Sequence, residues 1–445
     1  MSALAQWLVA QHAHAVRGLQ MSISATSVTK SRPGFGQKIT AARGSIVASP
    51  VLGAYDPEPD YFFHWYRDSA IVLDALRLLY AEGALAAPAL ESFRDCVEFS
   101  LALARLDGRE LVSAAGWRSR VAPDCTRFVR PDEELARVHG AAVAGETRVN
   151  PDGSIDISRW ARPQHDGPAL RLLAVLRWLG QPQIDAATRE RAAMLVQSDL
   201  AYVRAHRREP CFDIWEEEEG LHYYTLRVSA AALERAGEWC EEVGETSLAR
   251  SCRADSRSIL SELDGYWRSD RGYLRSRVLT SGAASAKELD IAVVLAAIHA
   301  RGSSADHSPR DPRQQATLQR LEELFAASYP INHGRPSTRG PALGRYAGDT
   351  YYCGGAYYFS TLGAAEFCFE AASGAADAAT QWLRRGDAYL ETVRAYTPSS
   401  GALSEQFDQK SGAQSSARHL AWSYAAFISA VSSRRWALAQ LSERL

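Results

Sequence analysis

Four glutamates in a row beside a tryptophan, Asp213-Ile-Trp-Glu-Glu-Glu-Glu-Gly220, form the densest cluster of reactive groups in this chain. Four ionised carboxylates cannot all be buried together, so some must be solvated or protonated. A carboxyl held against an apolar ring is one way to keep a general acid protonated near neutral pH. A solvated acidic loop fits the same residues. A second carboxylate stands far away in the chain: Glu405, in Leu403-Ser-Glu-Gln-Phe-Asp408, lies in a Gly- and Ser-rich stretch after Tyr396-Thr-Pro398. Alone it reads as a surface glutamate. Together, two loop carboxylates can flank one bond, one as acid and one as base, as glycoside hydrolysis requires.

A third cluster, Tyr61-Phe-Phe-His-Trp-Tyr-Arg-Asp-Ser69, sets the donor fork of Arg67 and the acceptors of Asp68 beside the flat face of Trp65. A sugar ring with several hydroxyls needs that mix. The alternative is a helix start in which Asp68 caps Ala70-Ile-Val-Leu73 and pairs with Arg67. Trp160-Ala-Arg-Pro-Gln-His-Asp-Gly167 and Gly344-Arg-Tyr-Ala-Gly-Asp-Thr-Tyr-Tyr352 have the same character, each just before an apolar helical segment.

These loops must be carried by helices. Leu90, Phe93, Val97 and Leu101 share one face, as do Leu318, Leu321, Leu324 and Phe325 after the start signal Asp311-Pro312. Similar segments near 2–18, 68–82, 167–180, 185–206, 223–241, 246–265, 287–301, 349–372, 376–395 and 418–438 bring the total to about a dozen helices. Strand signals are few, the clearest being a short hairpin arm around Gly272–Val278. Long polar connections at 31–66, 107–166, 207–222, 302–348 and 396–417 contain the clusters, which places them on one face. Within them, Gly302–Pro309 reads as a surface loop. The expected class is all-α, either a superhelical solenoid or a closed toroid of helical hairpins, and no fixed-period repeat supports the solenoid. No linker divides the chain, so one domain over 1–445 is expected.

Composition narrows the function. Net charge is −2, which offers nucleic acid or an anionic membrane no basic field. No apolar run approaches the ~20 residues of a membrane span. The 7 cysteines are scattered without a CxxC pair, so neither a disulfide framework nor a zinc site is expected. Met1–Leu19 lacks the basic start and apolar core of a signal peptide, which favours the cytoplasm. With 11 Trp and 18 Tyr, several beside charged residues, the chain suits a sugar site, although core packing claims most such rings.

Taken in order, the five motifs resemble those of the glucoamylases of glycoside hydrolase family 15. The match covers Tyr61–Ser69, Trp160–Gly167, Asp213–Gly220, Gly344–Tyr352, and Ser404–Asp408 with Ser416–Tyr424. The resemblance implies an (α/α)6 toroid with the site in long loops at one end. It also implies an inverting enzyme that releases β-glucose from the non-reducing ends of α-1,4-glucans and maltooligosaccharides. By motif position Glu216 is the general acid and Glu405 the general base. Glu217, Arg67, Asp68 and Arg345 bind substrate, Trp65, Trp160 and Trp215 line the site, and Tyr61 and Ser416 orient the base and its water. Neither cofactor nor metal is implied, and the expected state is a monomer.

There are departures. Ile214 replaces the usual Leu, Glu218 and Glu219 make the mouth more acidic, and Tyr357-Tyr358 follow Gly354-Gly-Ala356 where an Asn-Pro-Trp is common. Neither a starch-binding domain nor an N-terminal β-sandwich is expected in this length. The alternatives are an α-1,6-specific glucodextranase or isomaltose hydrolase, a trehalase, or an inactive glucan-binding module on the same toroid.

Overall fold

In the computed structural model, which describes residues 2–55, 57–302, 305–374 and 378–442, the apolar patterning resolves into two kinds of helix. The longer helices among the described residues are α1 Ala3–Ser22, α2 Tyr66–Ala81, α3 Ala87–Leu103, α4 Asp166–Leu179, α5 Ala186–His206 and α6 Tyr223–Glu242. They continue as α7 Thr246–Asp264, α8 Ala292–His299, α9 Pro312–Ser328, α10 Tyr358–Gly374, α11 Ala379–Tyr396 and α12 Ala421–Ser442. Helix α4 buries every residue but Arg177, whereas α7 buries only Ala249, Cys252, Ser256, Ile259 and Leu263. A helix apolar all round must be enclosed; one with a single stripe at three- and four-residue steps lies on a surface.

The packing follows that distinction. Helices α2, α4, α6, α8, α10 and α12 each pack on the next, and α12 returns to α2, so the inner ring closes. The others cover it from outside: α1 on α12, α3 on α2, α5 on α4, α7 on α6, α9 on α8 and α11 on α10. This is the expected (α/α)6 toroid. None of the described helices is long and apolar enough to cross a membrane.

Short strands feed the inner helices. His64–Trp65 pairs with Arg148–Val149 and runs into α2; Glu219–His222 lies between Cys211–Phe212 and Arg277–Leu279 and runs into α6. Ala356–Tyr357 pairs with Gln406–Phe407 and runs into α10. Gly167, at the start of α4, lies so close to α2 that a Cβ would stand 2.6 Å from that of Tyr66. The loops therefore gather at the N-terminal ends of the inner helices, where the backbone dipoles favour carboxylates.

Several boundaries differ from expectation. Helix α10 begins at Tyr358, not near 349, because Tyr352 and Gly354 take left-handed backbone and Ala356–Tyr357 is drawn into a sheet. Helix α8 begins at Ala292, which frees Lys287 and Asp290 for the site. The 302–348 connection contains α9, capped by Asp311 as its start signal foretells. The arm near 272 divides: Tyr273–Leu274 pairs with Trp267–Arg268, and Arg277–Leu279 joins the other sheet. In Gly302–Pro309, residues 303 and 304 lie outside the described residues, and so do 376 and 377 of the segment expected at 376–395. The expected surface loop is not wholly one: His307 is buried, its Nδ1 2.8 Å from the Tyr223 hydroxyl.

Candidate active site

The four-glutamate motif is a tight turn before α6. Glu216 has φ of 66°, a left-handed conformation that side chains with a Cβ seldom adopt. Its amide donates to the Asp213 carbonyl at 2.9 Å. Asp213 Oδ1 accepts the amides of Trp215 at 2.9 Å and Glu217 at 3.1 Å. Arg277, its side chain 1% exposed, holds the other Asp213 oxygen and also pairs with Asp290 and Glu218. Asp290 in turn accepts the Trp215 indole N–H at 2.9 Å. Burial pushes Asp290 up to about 6 despite the adjacent guanidinium. Glu218 is thus spent on Arg277 and Ser285 rather than adding free charge to the mouth.

One cation therefore holds the turn together. Arg277→Leu is expected to destabilise the protein by about 3–5 kcal/mol, because it leaves buried carboxylates uncompensated. Denaturant melts measure this, and an unchanged midpoint would show that the turn is held some other way.

The side chain of Glu216 enters a pocket of about 240 Å³. Trp65 Nε1 donates to Oε1 at 2.8 Å, Trp160 Nε1 donates to Oε2, and Arg67 reaches Oε1 at 3.3 Å. Arg67 also lies 3.2 Å from Asp68 and donates to Gln164 at 3.2 Å. Asp68 is in the first turn of α2 but makes no cap hydrogen bond; its Oδ2 has the ion contact alone and burial raises its pKa. A carboxylate oxygen with spare acceptor capacity in a pocket wall suits a ligand hydroxyl.

Across the pocket lies Glu405. Ser416, itself at φ of 62°, donates to Oε2, and the Tyr61 hydroxyl is 3.4 Å from Oε1 and 2.7 Å from the Tyr351 hydroxyl. Burial pushes Glu405 up to about 7, while the Ser416 hydrogen bond works against that rise. Glu217 is held by Lys287 at 2.6 Å, by Arg345 at 3.1 Å and by the Tyr346 hydroxyl. Arg345 is itself fixed through two bonds to Asp349.

Every site residue expected from sequence lines this pocket except Ser416, which reaches it through Glu405. Trp160 forms the rim and is 36% exposed. Trp215 forms the wall, near-parallel to Trp422 at 18° and to Phe359 at 21°. Sequence reasoning missed Trp422, Phe359 and Tyr351 as lining, and Arg277, Asp290, Asp349 and Lys287 as supports. Trp422 and Tyr351 lay inside quoted motifs, so they were within reach; Arg277 and Asp290 carried no local signal.

Among the described residues, one group has the spacing to hold a cation: His165, His206 and Glu209. Its histidine Nδ1 atoms are bonded to the Tyr202 hydroxyl at 2.8 Å and to Glu209 at 2.6 Å. The two rings stack at 5.3 Å and 23°, so their in-plane lone pairs do not converge on one point.

Comparison with known proteins agrees with this geometry. The sequence profile of glycosyl hydrolases family 15 matches residues 141–432. A glucoamylase of Neurospora crassa is 29% identical over 444 residues, covering 88% of this chain and 64% of that protein. This chain thus spans just under two thirds of that relative's length. The solved Hormoconis resinae glucoamylase superposes on 97% of this chain and 74% of its own, with a TM-score of 0.77 and 26% identity. The glucoamylase from Saccharomycopsis fibuligera covers 98% and 96% with a TM-score of 0.78; at 20% identity that likeness speaks for the fold alone.

Proposed function

The chain belongs to glycosyl hydrolases family 15, and from that premise we propose that it is an inverting, exo-acting glucoamylase. It removes β-D-glucose from the non-reducing ends of α-1,4-glucans and maltooligosaccharides. One observation carries the reading: Glu216 and Glu405, far apart in sequence, border a single pocket with Arg67, Asp68 and Arg345.

In this mechanism Glu216 gives a proton to the glycosidic oxygen as the bond stretches toward an oxocarbenium-like transition state. Trp65 and Trp160 hold its carboxyl in one orientation. Glu405 takes a proton from a water attacking the opposite face of the sugar, and Ser416 and Tyr61 fix the carboxylate that receives it. Arg67, Asp68 and Arg345 grip the terminal glucose, and Glu217 binds beside them. The acidic walls favour the positive charge that develops at the anomeric carbon. We read residues 1–445 as one catalytic unit acting on soluble glucan. A cytoplasmic setting suits the seven cysteines, all unpaired.

Glucose release from maltotriose, isomaltotriose and trehalose tests the substrate. Maltotriose is expected to be fastest. Faster isomaltotriose or trehalose would move the enzyme to the α-1,6 or trehalase reading, and turnover of none would leave a binding module.

Acid dependence tests the base. Glu405 acts only when ionised, so kcat/KM is expected to fall as pH drops through about 7. Ser416→Ala removes a hydrogen bond that lowers the Glu405 pKa, so this acidic limb moves to higher pH. A limb that stays in place would separate Ser416 from the group being titrated.

A further inference from the structure

Arg227, one turn into α6, is 3% exposed. Every other buried arginine among the described residues touches a carboxylate. Arg227 touches none of those described. Its one hydrogen bond among them runs from Nε to the His307 carbonyl at 3.2 Å, which leaves both terminal nitrogens to spare. Burial lowers its pKa, and only the Tyr223 hydroxyl works the other way. A buried charge without a partner is costly, and beside a cavity it marks a binding site.

Such a cavity is present. Arg227 lines a hollow of about 520 Å³ between α6, α7 and the chain that follows α8. That lies within the roughly 300–1,000 Å³ of small-ligand sites. It shares no lining residue with the catalytic pocket. Arg257, exposed on α7, lines it too and has no ion pair among the described residues. Ser256 and Ser261 add hydroxyls, and Glu234 and Glu238 lie further along α6. From Arg227 to Glu234 is seven residues, about 10 Å of helix at 1.5 Å each. Asp264 and Asp306, the remaining carboxylates of the lining, are exposed, and Asp264 is held by Arg313 at 2.7 Å.

We propose that this cavity binds a small sugar phosphate, its phosphate on Arg227 and Arg257 and its hydroxyls toward Glu234 and Glu238. A guanidinium with two free nitrogens matches a pair of phosphate oxygens, and two cations suit a dianion better than a carboxylate. Carboxylates at the far end would repel a larger polyanion but accept from sugar hydroxyls. The site stands apart from the catalytic reading and does not depend on it.

The test is calorimetric titration in phosphate-free buffer at neutral pH with glucose 6-phosphate and with inorganic phosphate. Wild type, Arg227→Met and Arg257→Ala are compared. Wild type is expected to bind glucose 6-phosphate at one site, about tenfold more tightly than inorganic phosphate. Each variant is expected to weaken that binding by about tenfold or more, as loss of a charged hydrogen bond implies. Hydrolysis of maltotriose without ligand is expected to be unchanged in both. In the same buffer Tm of Arg227→Met is expected to match or exceed that of wild type, because the substitution removes a buried charge that nothing pairs. No binding, or binding that both variants leave intact, overturns the site. Equal affinity for phosphate and glucose 6-phosphate overturns its assignment to a sugar phosphate. Should Arg227→Met fail to fold, the exposed Arg257→Ala decides alone, and unchanged affinity overturns the proposal.

Discussion

Glu216→Gln is expected to lower kcat on maltotriose by about 10²–10⁴-fold while KM changes little. Glutamine matches the carboxyl in shape and can still accept from Trp65 or Trp160, but it has no proton to give the departing oxygen. The defect should therefore vanish on a substrate whose leaving group needs none. With α-glucosyl fluoride the variant is expected to recover to within about tenfold of the wild type. A variant equally poor on the fluoride would show that Glu216 orients the sugar rather than protonates it. The strained turn is left in place by this substitution, because the bonds from Asp213 go to backbone amides.

Glu405→Gln is expected to be as damaging on maltotriose, by about 10²–10⁴-fold, but without the recovery. Fluoride departs unaided, yet water must still be deprotonated as it attacks, so the base variant stays slow on both substrates. It should also be more stable at alkaline pH. Burial raises this carboxyl from an ordinary 4.5 to about 7 in the folded chain. The folded state thus binds the proton more tightly, and that stabilisation is complete below about 4.5 and lost as pH rises through about 7. At pH 8 the wild type carries a buried carboxylate that glutamine does not, so Tm of the variant is expected to exceed it, the gap closing toward pH 4. A variant with a lower Tm at pH 8 would mean that the carboxylate is compensated in the fold. Rapid turnover of α-glucosyl fluoride would remove Glu405 from the role of base.

Much of this was legible in the sequence. The apolar periods of α4 and α7 distinguish enclosed from surface helices, and Asp311-Pro312 marks the start of α9. The loop motifs point to Glu216 and Glu405 as one pair. What stayed hidden depends on three-dimensional closure. Arg277 is an ordinary arginine until its strand pairs with Glu219–His222 and brings it to Asp213. The 349–357 stretch reads as helix because Tyr351 and Tyr352 continue an apolar pattern, and only the pull of the neighbouring strand and two left-handed residues overrides it. His307 reads as a loop residue because nothing local signals the Tyr223 hydroxyl that buries it. Glu218 looks like free charge until its guanidinium partner arrives from 59 residues away.

The central claim is that two carboxylates act with a water between them. Proton NMR of the anomeric signals during the first minutes of maltotriose hydrolysis tests it most directly, before mutarotation mixes the products. The account predicts β-glucose first, with the α signal growing only afterwards. If α-glucose appears first, Glu405 does not activate water on the opposite face, and the inverting mechanism is wrong.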